Sequence, residues 1–416
     1  MIVLGGGPAG AISAWLAARD GLRVLLVDPQ LRSGRLEGLS PRLHQWLQTS
    51  GLGDGGSAMG PFPRRVDWGS QTSGANGEYL LDRDRLNSHL QTAAQIAGAQ
   101  IEATTGSLTG RNVTLSDGRS FSAPWILDAR GRRSHRAARH SAGFATISVC
   151  GWYRTARDMD PGCAISVTPE GWVWRATLPD GRAWAQFTCD ARSRHSLSER
   201  LLAALRRVLP KTGDIRLVTQ PMGMAATPVL PAPVKDLSCL AVGDALSAMD
   251  PLSGHGVFWA VSSALAAAAT RRTLVARPGA ETEALCRRYL EERAMATYMR
   301  NARVGRDFIR LEERYSEQTF WSDRADFPDE TPSHETVLRP EVRKGIVVRA
   351  GLVEEMEMLH TPDHPEGVGW YGPVQAAGLW RRIRAGAPRA AVTAEHGPGI
   401  ASIYDQLRPF AAKASA

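Results

Sequence analysis

Met1-Ile2-Val3-Leu4-Gly5-Gly6-Gly7-Pro8-Ala9-Gly10 opens the 416-residue chain with a short apolar run and a glycine-rich turn. Ile2 to Leu4 suits a buried parallel strand. Gly5, Gly7 and Gly10 fit the G-x-G-x-x-G pattern, with Pro8 and Ala9 inside the turn. Ala11 to Arg19 reads as a helix, Gly21 as its stop, and Arg23 to Asp28 as a second strand. Each part has a physical reason. Gly5 permits the tight turn, Gly7 lets the backbone approach a diphosphate, and Gly10 brings helix and strand close. The free N–H groups and the positive dipole end of the helix hold phosphates. Asp28 ends the second strand 18 residues after Gly10, where a carboxylate accepts from ribose hydroxyls and disfavours a 2′-phosphate. Strand, glycines, helix, strand and acid in register predict a dinucleotide-binding crossover. Gly51-Leu52-Gly53-Asp54-Gly55-Gly56 matches the same glycine pattern, but no strand precedes it, and Pro61 and Pro63 forbid a helix after it. It reads as a loop.

Further motifs follow downstream. Leu81-Asp82-Arg83-Asp84-Arg85-Leu86-Asn87 precedes a helix from Ser88 to Ala97, and a strand is expected at Gln100 to Thr104. Trp125 to Gly131 reads as a strand ending in a turn that carries Asp128. Cys239 to Ala245 is a second strand and turn, with Gly243 and Asp244. It leads into Asp250-Pro251-Leu252-Ser253-Gly254-His255-Gly256 and an alanine-rich helix from Val257 to Leu274.

These four motifs in this order resemble the FAD-dependent monooxygenases of the glutathione-reductase-like, para-hydroxybenzoate-hydroxylase type, over residues 1 to about 275. The resemblance implies that Arg83 and Asp128 lie near the cofactor and that Gly243 and Asp244 meet the ribityl or diphosphate region. It also implies that Pro251, Gly254, His255, Gly256 and Val257 pass the isoalloxazine. Backbone N–H groups opening the Val257 helix would then stabilise negative charge on the reduced ring. Gly171-Trp172-Val173-Trp174 with Leu178-Pro179 is similar to the G-W-x-W-x-I-P segment of flavin-dependent tryptophan halogenases. Halogenases need a lysine early in the chain, whereas here no lysine precedes Lys211, which argues against halogenation. Tyr289, Arg293, Tyr298, Arg310, Arg314-Tyr315 and Phe320-Trp321 to Arg324, with Val353 to His360 and Gly367 to Trp370, resemble halogenase-like flavoproteins that modify peptidyl tryptophan during quinone-cofactor maturation.

What the resemblance implies is hydroxylation of an aromatic ring through a C4a-hydroperoxyflavin, with FAD, O2 and either NAD(P)H or a separate flavin reductase. The substrate expected is a tryptophan of a small partner subunit that becomes a tryptophylquinone. Two other functions stay open: a monooxygenase of a free aromatic or a flavin-dependent reductase, and a non-catalytic flavoprotein serving maturation. His255 is the candidate for handling protons, with a plain flavin or backbone contact as the alternative. Trp172 and Trp174 alternate along a strand and share one face, as a substrate-pocket wall or as core packing.

Composition sets the remaining bounds. With 43% hydrophobic and 22% charged residues the chain is ordinary globular protein. The net charge of +8 comes almost wholly from arginine, since only Lys211, Lys235, Lys344 and Lys413 are lysines. Arg130, Arg132, Arg133, Arg136 and Arg139 crowd one turn, either as a solvated run or as a dock for an acidic partner. No basic run alternates with aromatics, so nucleic acid is not expected. Five scattered cysteines without a CxxC pair indicate neither zinc nor disulfides, and no metal site is expected. The start lacks a leader pattern and no apolar stretch spans a bilayer, so a cytoplasmic protein is expected. The architecture expected is α/β: an FAD-binding Rossmann domain (1–145 plus 235–275), a β-rich substrate domain (146–234) and a mostly helical C-terminal cap (276–416).

Overall fold

Ile2, Val3 and Leu4 are 3, 0 and 1% exposed and form β1 (Ile2–Leu4), the middle strand of a five-stranded parallel sheet. β2 (Leu25–Val27) and Ile126–Asp128 flank it, with Gln100–Glu102 and Cys239–Ala241 at the edges. Strands buried on both faces read as continuous apolar runs, which is why the opening was recognisable. The helix α1 (Pro8–Arg19) joins β1 to β2, and its run of small residues lets it sink almost wholly into the protein. It packs beside the helix Arg83–Ile96, which starts five residues earlier than expected because Asp82 caps it by accepting from the N–H groups of Asp84 and Arg85. The sheet face carrying Ile2, Leu4 and Val27 is covered by Val113 and Leu115 of a three-stranded antiparallel sheet, residues 106 to 122. This is the glutathione-reductase-like dinucleotide fold. The computed structural model describes residues 1–69, 71–134 and 142–412.

A nine-stranded, largely antiparallel sheet forms the second layer. Its strands run in the order Ile215–Leu217, Thr146–Thr155, Ala183–Asp190, Gly171–Thr177, Gly162–Thr168, Ala58–Trp68, Gln71–Asp82 and Leu36–Leu39, with Met222–Ala225 pairing beside Thr146–Thr155. Six strands lie in the segment 146–234, and three come from before residue 83. Those three were not expected, because Gly60, Pro61 and Pro63 break the alternation of Ala58–Trp68, where the pairing register shifts. Alternation along the other strands separates two cores. Val149, Tyr153, Val173 and Phe187 pack beneath the helix Leu197–Val208, which Ser196 and Glu199 cap reciprocally. Cys163, Ile165, Trp172, Trp174 and Trp184 face the other way, in a cluster with Trp68, Phe320 and Trp321.

By residue contacts the chain divides into two units, Met1–Ala268 with Leu290–Thr331, and Ala269–Tyr289 with Pro332–Ala416. All three sheets described so far belong to the first. The second contains the hairpin Glu341–Arg349 and Leu352–His360, so the region after 276 is not helical throughout. Leu359, Trp380, Ile383, Val392, Ile400, Tyr404 and Leu407 make its core. Among the described residues, no helix is long and apolar enough to cross a membrane.

Trp321 is 1% exposed, meets Trp68 and Phe320 edge-on at 5.4 Å, and donates its indole N–H to the Thr168 carbonyl at 2.9 Å. Trp321→Ala should lower unfolding free energy by about 3–5 kcal/mol, read as a shifted urea midpoint. An unchanged midpoint would remove Trp321 from the core.

Candidate functional site

The glycine turn is shaped by what surrounds it. Gly5 has φ +101°, and a Cβ there would stand 2.4 Å from the Ala129 carbonyl oxygen. A Cβ on Gly10 would lie 1.8 Å from the Gly5 carbonyl oxygen, so α1 sits as close to β1 as backbone allows. Gly7 differs. Its backbone is extended, and the nearest atom to an added Cβ is an Arg83 guanidinium nitrogen at 3.8 Å. Space above Gly7 is thus open and faced by a cation, at the positive end of a twelve-residue helix. That cradle fits a diphosphate.

The surrounding charges are held by each other. Arg83 donates to Glu37 at 2.7 Å and to the Asn87 side-chain oxygen at 3.1 Å. Burial pushes the Glu37 carboxyl up, but Arg83 and Arg35 outweigh it and hold the group below its usual range. Asp28 accepts from the Gly6 N–H at 2.6 Å and the Gln30 N–H at 2.8 Å, so it braces the loop it was expected to serve. Gln91 adds a bond to the Gly6 carbonyl at 3.0 Å. On the far side of α1, Gly243 has φ +60°, and a Cβ there would meet the Ala9 side chain at 2.9 Å. Asp244 lies 3.8 Å from Arg132 and keeps 44% side-chain exposure. Desolvation within the cleft outweighs Arg132 and raises the Asp244 carboxyl, which accepts no hydrogen bond from any described residue. An open glycine cradle, a facing arginine and a carboxylate that takes no hydrogen bond from a described residue all match a dinucleotide with hydroxylated carbons.

Asp250 opens the turn expected beside the ring by accepting from the Leu252 N–H at 2.8 Å. Gly254 closes this turn at φ +61°, and the helix Gly256–Ala276 begins directly after it. Trp259, 2% exposed, ties that helix to the 243–247 turn by donating to the carbonyls of Gly243 and Ser247. His255 is exposed at the helix start, its ring edge-on to Phe258 at 6.2 Å. Met249, Asp250 and Leu252 also line a pocket of about 530 Å³, together with residues of the helix Ala280–Arg310.

Several expected residues take other partners. Asp128 is 2% exposed, and its oxygens accept from the Arg130 guanidinium, the Arg130 N–H and the Ser134 hydroxyl. It holds the 130–134 turn rather than presenting free oxygens. Arg130 and Arg132 turn inward, toward Asp128 and Asp244, which argues against their serving as an exposed dock. Arg136 and Arg139 lie outside the described residues. Trp172 and Trp174 share a face as expected, but they are 3 and 7% exposed within the apolar cluster. The Trp174 N–H reaches Glu78 at 3.2 Å. The 530 Å³ pocket is lined by neither. Glu37, Gln91, Arg132, Asp250 and Trp259 were not foreseen. Only Asp250, placed just before Pro251, carried a local signal.

Two outcomes follow from this geometry. Gly7→Ala should fold normally yet retain at least about tenfold less FAD, measured by flavin absorbance after purification, while Gly10→Ala should not give folded protein. Burial pushes Asp128 up, but Arg130 and Ser134 outweigh it and hold its carboxyl low in the folded state. Its stabilisation is complete above about pH 4 and fades as pH falls through the depressed folded value. Asp128→Asn should cost about 3 kcal/mol at neutral pH, with the gap to wild type narrowing in acid denaturant titrations.

Comparison with known proteins bears on this site. No protein-family model matches the chain. A curated relative, digeranylgeranylglycerophospholipid reductase of Thermoplasma acidophilum, is 25% identical over 310 residues, 64% of this chain and 76% of that protein. The flavin-dependent halogenase CmlS shares the fold at TM-score 0.73 with 15% identity, over 92% of this chain and 88% of its own. The peptidyl tryptophan dihydroxylase QhpG, essential for tryptophylquinone cofactor biogenesis, superposes at TM-score 0.78 with 32% identity, over 99% of this chain and 98% of its own. The chain belongs to the FAD-dependent monooxygenase family that contains this dihydroxylase.

Proposed function

We propose that this protein hydroxylates a tryptophan side chain of a partner peptide, as a step in building a tryptophylquinone cofactor. The observation that carries this is the 32% identity to the peptidyl tryptophan dihydroxylase, sustained over essentially the full length of both chains. Bound FAD supplies the oxygen chemistry, given O2 and electrons from NAD(P)H or a separate flavin reductase. The protein's own residues bind, orient and exclude water. Gly5, Gly7, Pro8, Ala9 and Gly10 present the α1 N-terminus to the diphosphate, and Arg83 adds its charge beside Gly7. Asp244, with Gly243, would accept from hydroxyl groups of the dinucleotide, and Asp28 would contribute by bracing the loop that holds it. Pro251, Gly254, Gly256 and Val257 bring a helix N-terminus to the flavin edge. Trp172 and Trp174 serve as the packed backing of the sheet, holding the substrate side dry. His255, exposed at the helix start, exchanges protons between the site and solvent.

The reductase relatives favour one other function, reduction of a prenyl-like substrate. A reductase would pass electrons from its reduced flavin to an isoprenoid without O2.

The deciding experiment incubates the FAD-loaded enzyme, a flavin reductant and 18O2 with tryptophan-containing peptides of a candidate partner subunit. Mass spectrometry should find labelled oxygen on tryptophan. Peptides that stay unlabelled while an anaerobic isoprenoid reoxidises the flavin would establish the reductase instead. His255→Gln should lower kcat by about tenfold or more with FAD content unchanged. An unaltered kcat would leave His255 as a mere contact.

A further inference from the structure

The pocket beside the 249–252 turn is lined by none of the residues assigned above to the cofactor. One wall is a single face of the helix Ala280–Arg310, through Tyr298, Ala302, Gly305, Arg306 and Ile309. Gly305 stands inside this 31-residue helix, where glycine is unfavourable. Nothing lies within 4 Å of where its Cβ would be, so no close neighbour requires a glycine there. Its effect is to leave the pocket open. Phe144, Leu252 and Phe327 supply flat apolar surface. Arg306 and Arg324 are spent within the protein, the first on Asp307 and Asp329, the second on the Thr146 hydroxyl and the Phe320 carbonyl.

Two polar groups of the lining stand unmatched among the described residues, the buried Tyr298 hydroxyl and one oxygen of Asp250. The Asp250 Oδ1 takes the Leu252 N–H, whereas its Oδ2 receives no hydrogen bond from any described residue. Burial outweighs the Leu252 amide, Arg324 and Arg132 and raises the carboxyl above its usual range, as an acceptor lacking a donor would be. A largely apolar chamber with an unfilled carboxylate oxygen, and a Tyr298 hydroxyl that could also accept, complements a bicyclic aromatic ring carrying one N–H.

Resting on the function proposed above, we infer that this pocket seats the substrate's indole, with Asp250 Oδ2 accepting the indole N–H and Gly305 leaving room for the ring. Asp250 thereby sets specificity for an indole over a ring without a donor. Asp250→Asn is the informative change, because the amide oxygen still caps the turn while the NH2 replaces the acceptor with a donor.

The test titrates FAD-loaded enzyme with indole, with benzothiophene (sulfur in place of N–H) and with phenol by calorimetry. Wild type should prefer indole to benzothiophene by about tenfold. Asp250→Asn should erase that preference, and Gly305→Leu should abolish binding of both rings, with Gly305→Ala intermediate. FAD content and melting temperature should match wild type throughout. Tighter binding of phenol, no preference in wild type, a preference kept by Asp250→Asn, or indole bound normally by Gly305→Leu would each overturn the assignment. Peptide oxygenation separates the two proposals. If both variants hydroxylate tryptophan peptides as wild type does, the seat is elsewhere and the activity stands. If indole binding follows the expected pattern while no tryptophan peptide is labelled, the seat stands and the partner falls.

Discussion

Everything around the cofactor cradle depends on how closely the first helix approaches the first strand. With 1.8 Å between the Gly5 oxygen and the place a Gly10 Cβ would occupy, no side chain fits. That contact aims the N-terminus of α1 over the carboxyl ends of the parallel strands, where open α/β sheets bind their ligands. Two other backbone segments are then drawn in. Ala129 approaches from the 126–128 strand, and Gly243 closes against Ala9 from the 239–241 strand. Three strand ends thus converge on one turn, although they lie far apart in the chain.

The second layer is organised by period rather than by closeness. Gly171–Thr177 puts Trp172 and Trp174 on one face and Val173 on the other, and each face has its own core. Three tryptophan N–H groups find acceptors, Trp174 in Glu78, Trp68 in the Phe308 carbonyl and Trp321 in the Thr168 carbonyl, whereas the buried Trp184 N–H has none among the described residues. Such directional bonds turn an aromatic cluster into a fixed wall.

The crossover was legible because its signals are local: apolar run, glycines, small-residue helix, acid. The turns at 243–245 and 250–256 were legible for the same reason. What escaped was long-range or ambiguous. Ala58–Trp68 does not read as a strand, since prolines and arginines interrupt it, yet it pairs with Gly162–Thr168 and Gln71–Asp82. Gln91 reaches Gly6, and Glu37 reaches Arg83, across separations no short motif encodes. The arginine-rich turn shows how charge can mislead. A run that reads as a solvated face has its first members folded onto Asp128 and Asp244. Trp172 and Trp174 were correctly placed on one face, but only packing could tell an open wall from a filled one.

The five cysteines gain meaning from their surroundings. All are buried. Burial lifts the Cys150 thiol to about 12 and those of Cys189 and Cys286 to about 11, and it raises Cys163 further. Oxidants attack the thiolate rather than the thiol. An oxygen-using flavoenzyme sheds hydrogen peroxide whenever a turnover misfires, and the first protein that peroxide meets is the enzyme itself. By keeping its five thiols protonated and out of reach, the fold leaves such an oxidant no cysteine thiolate to attack.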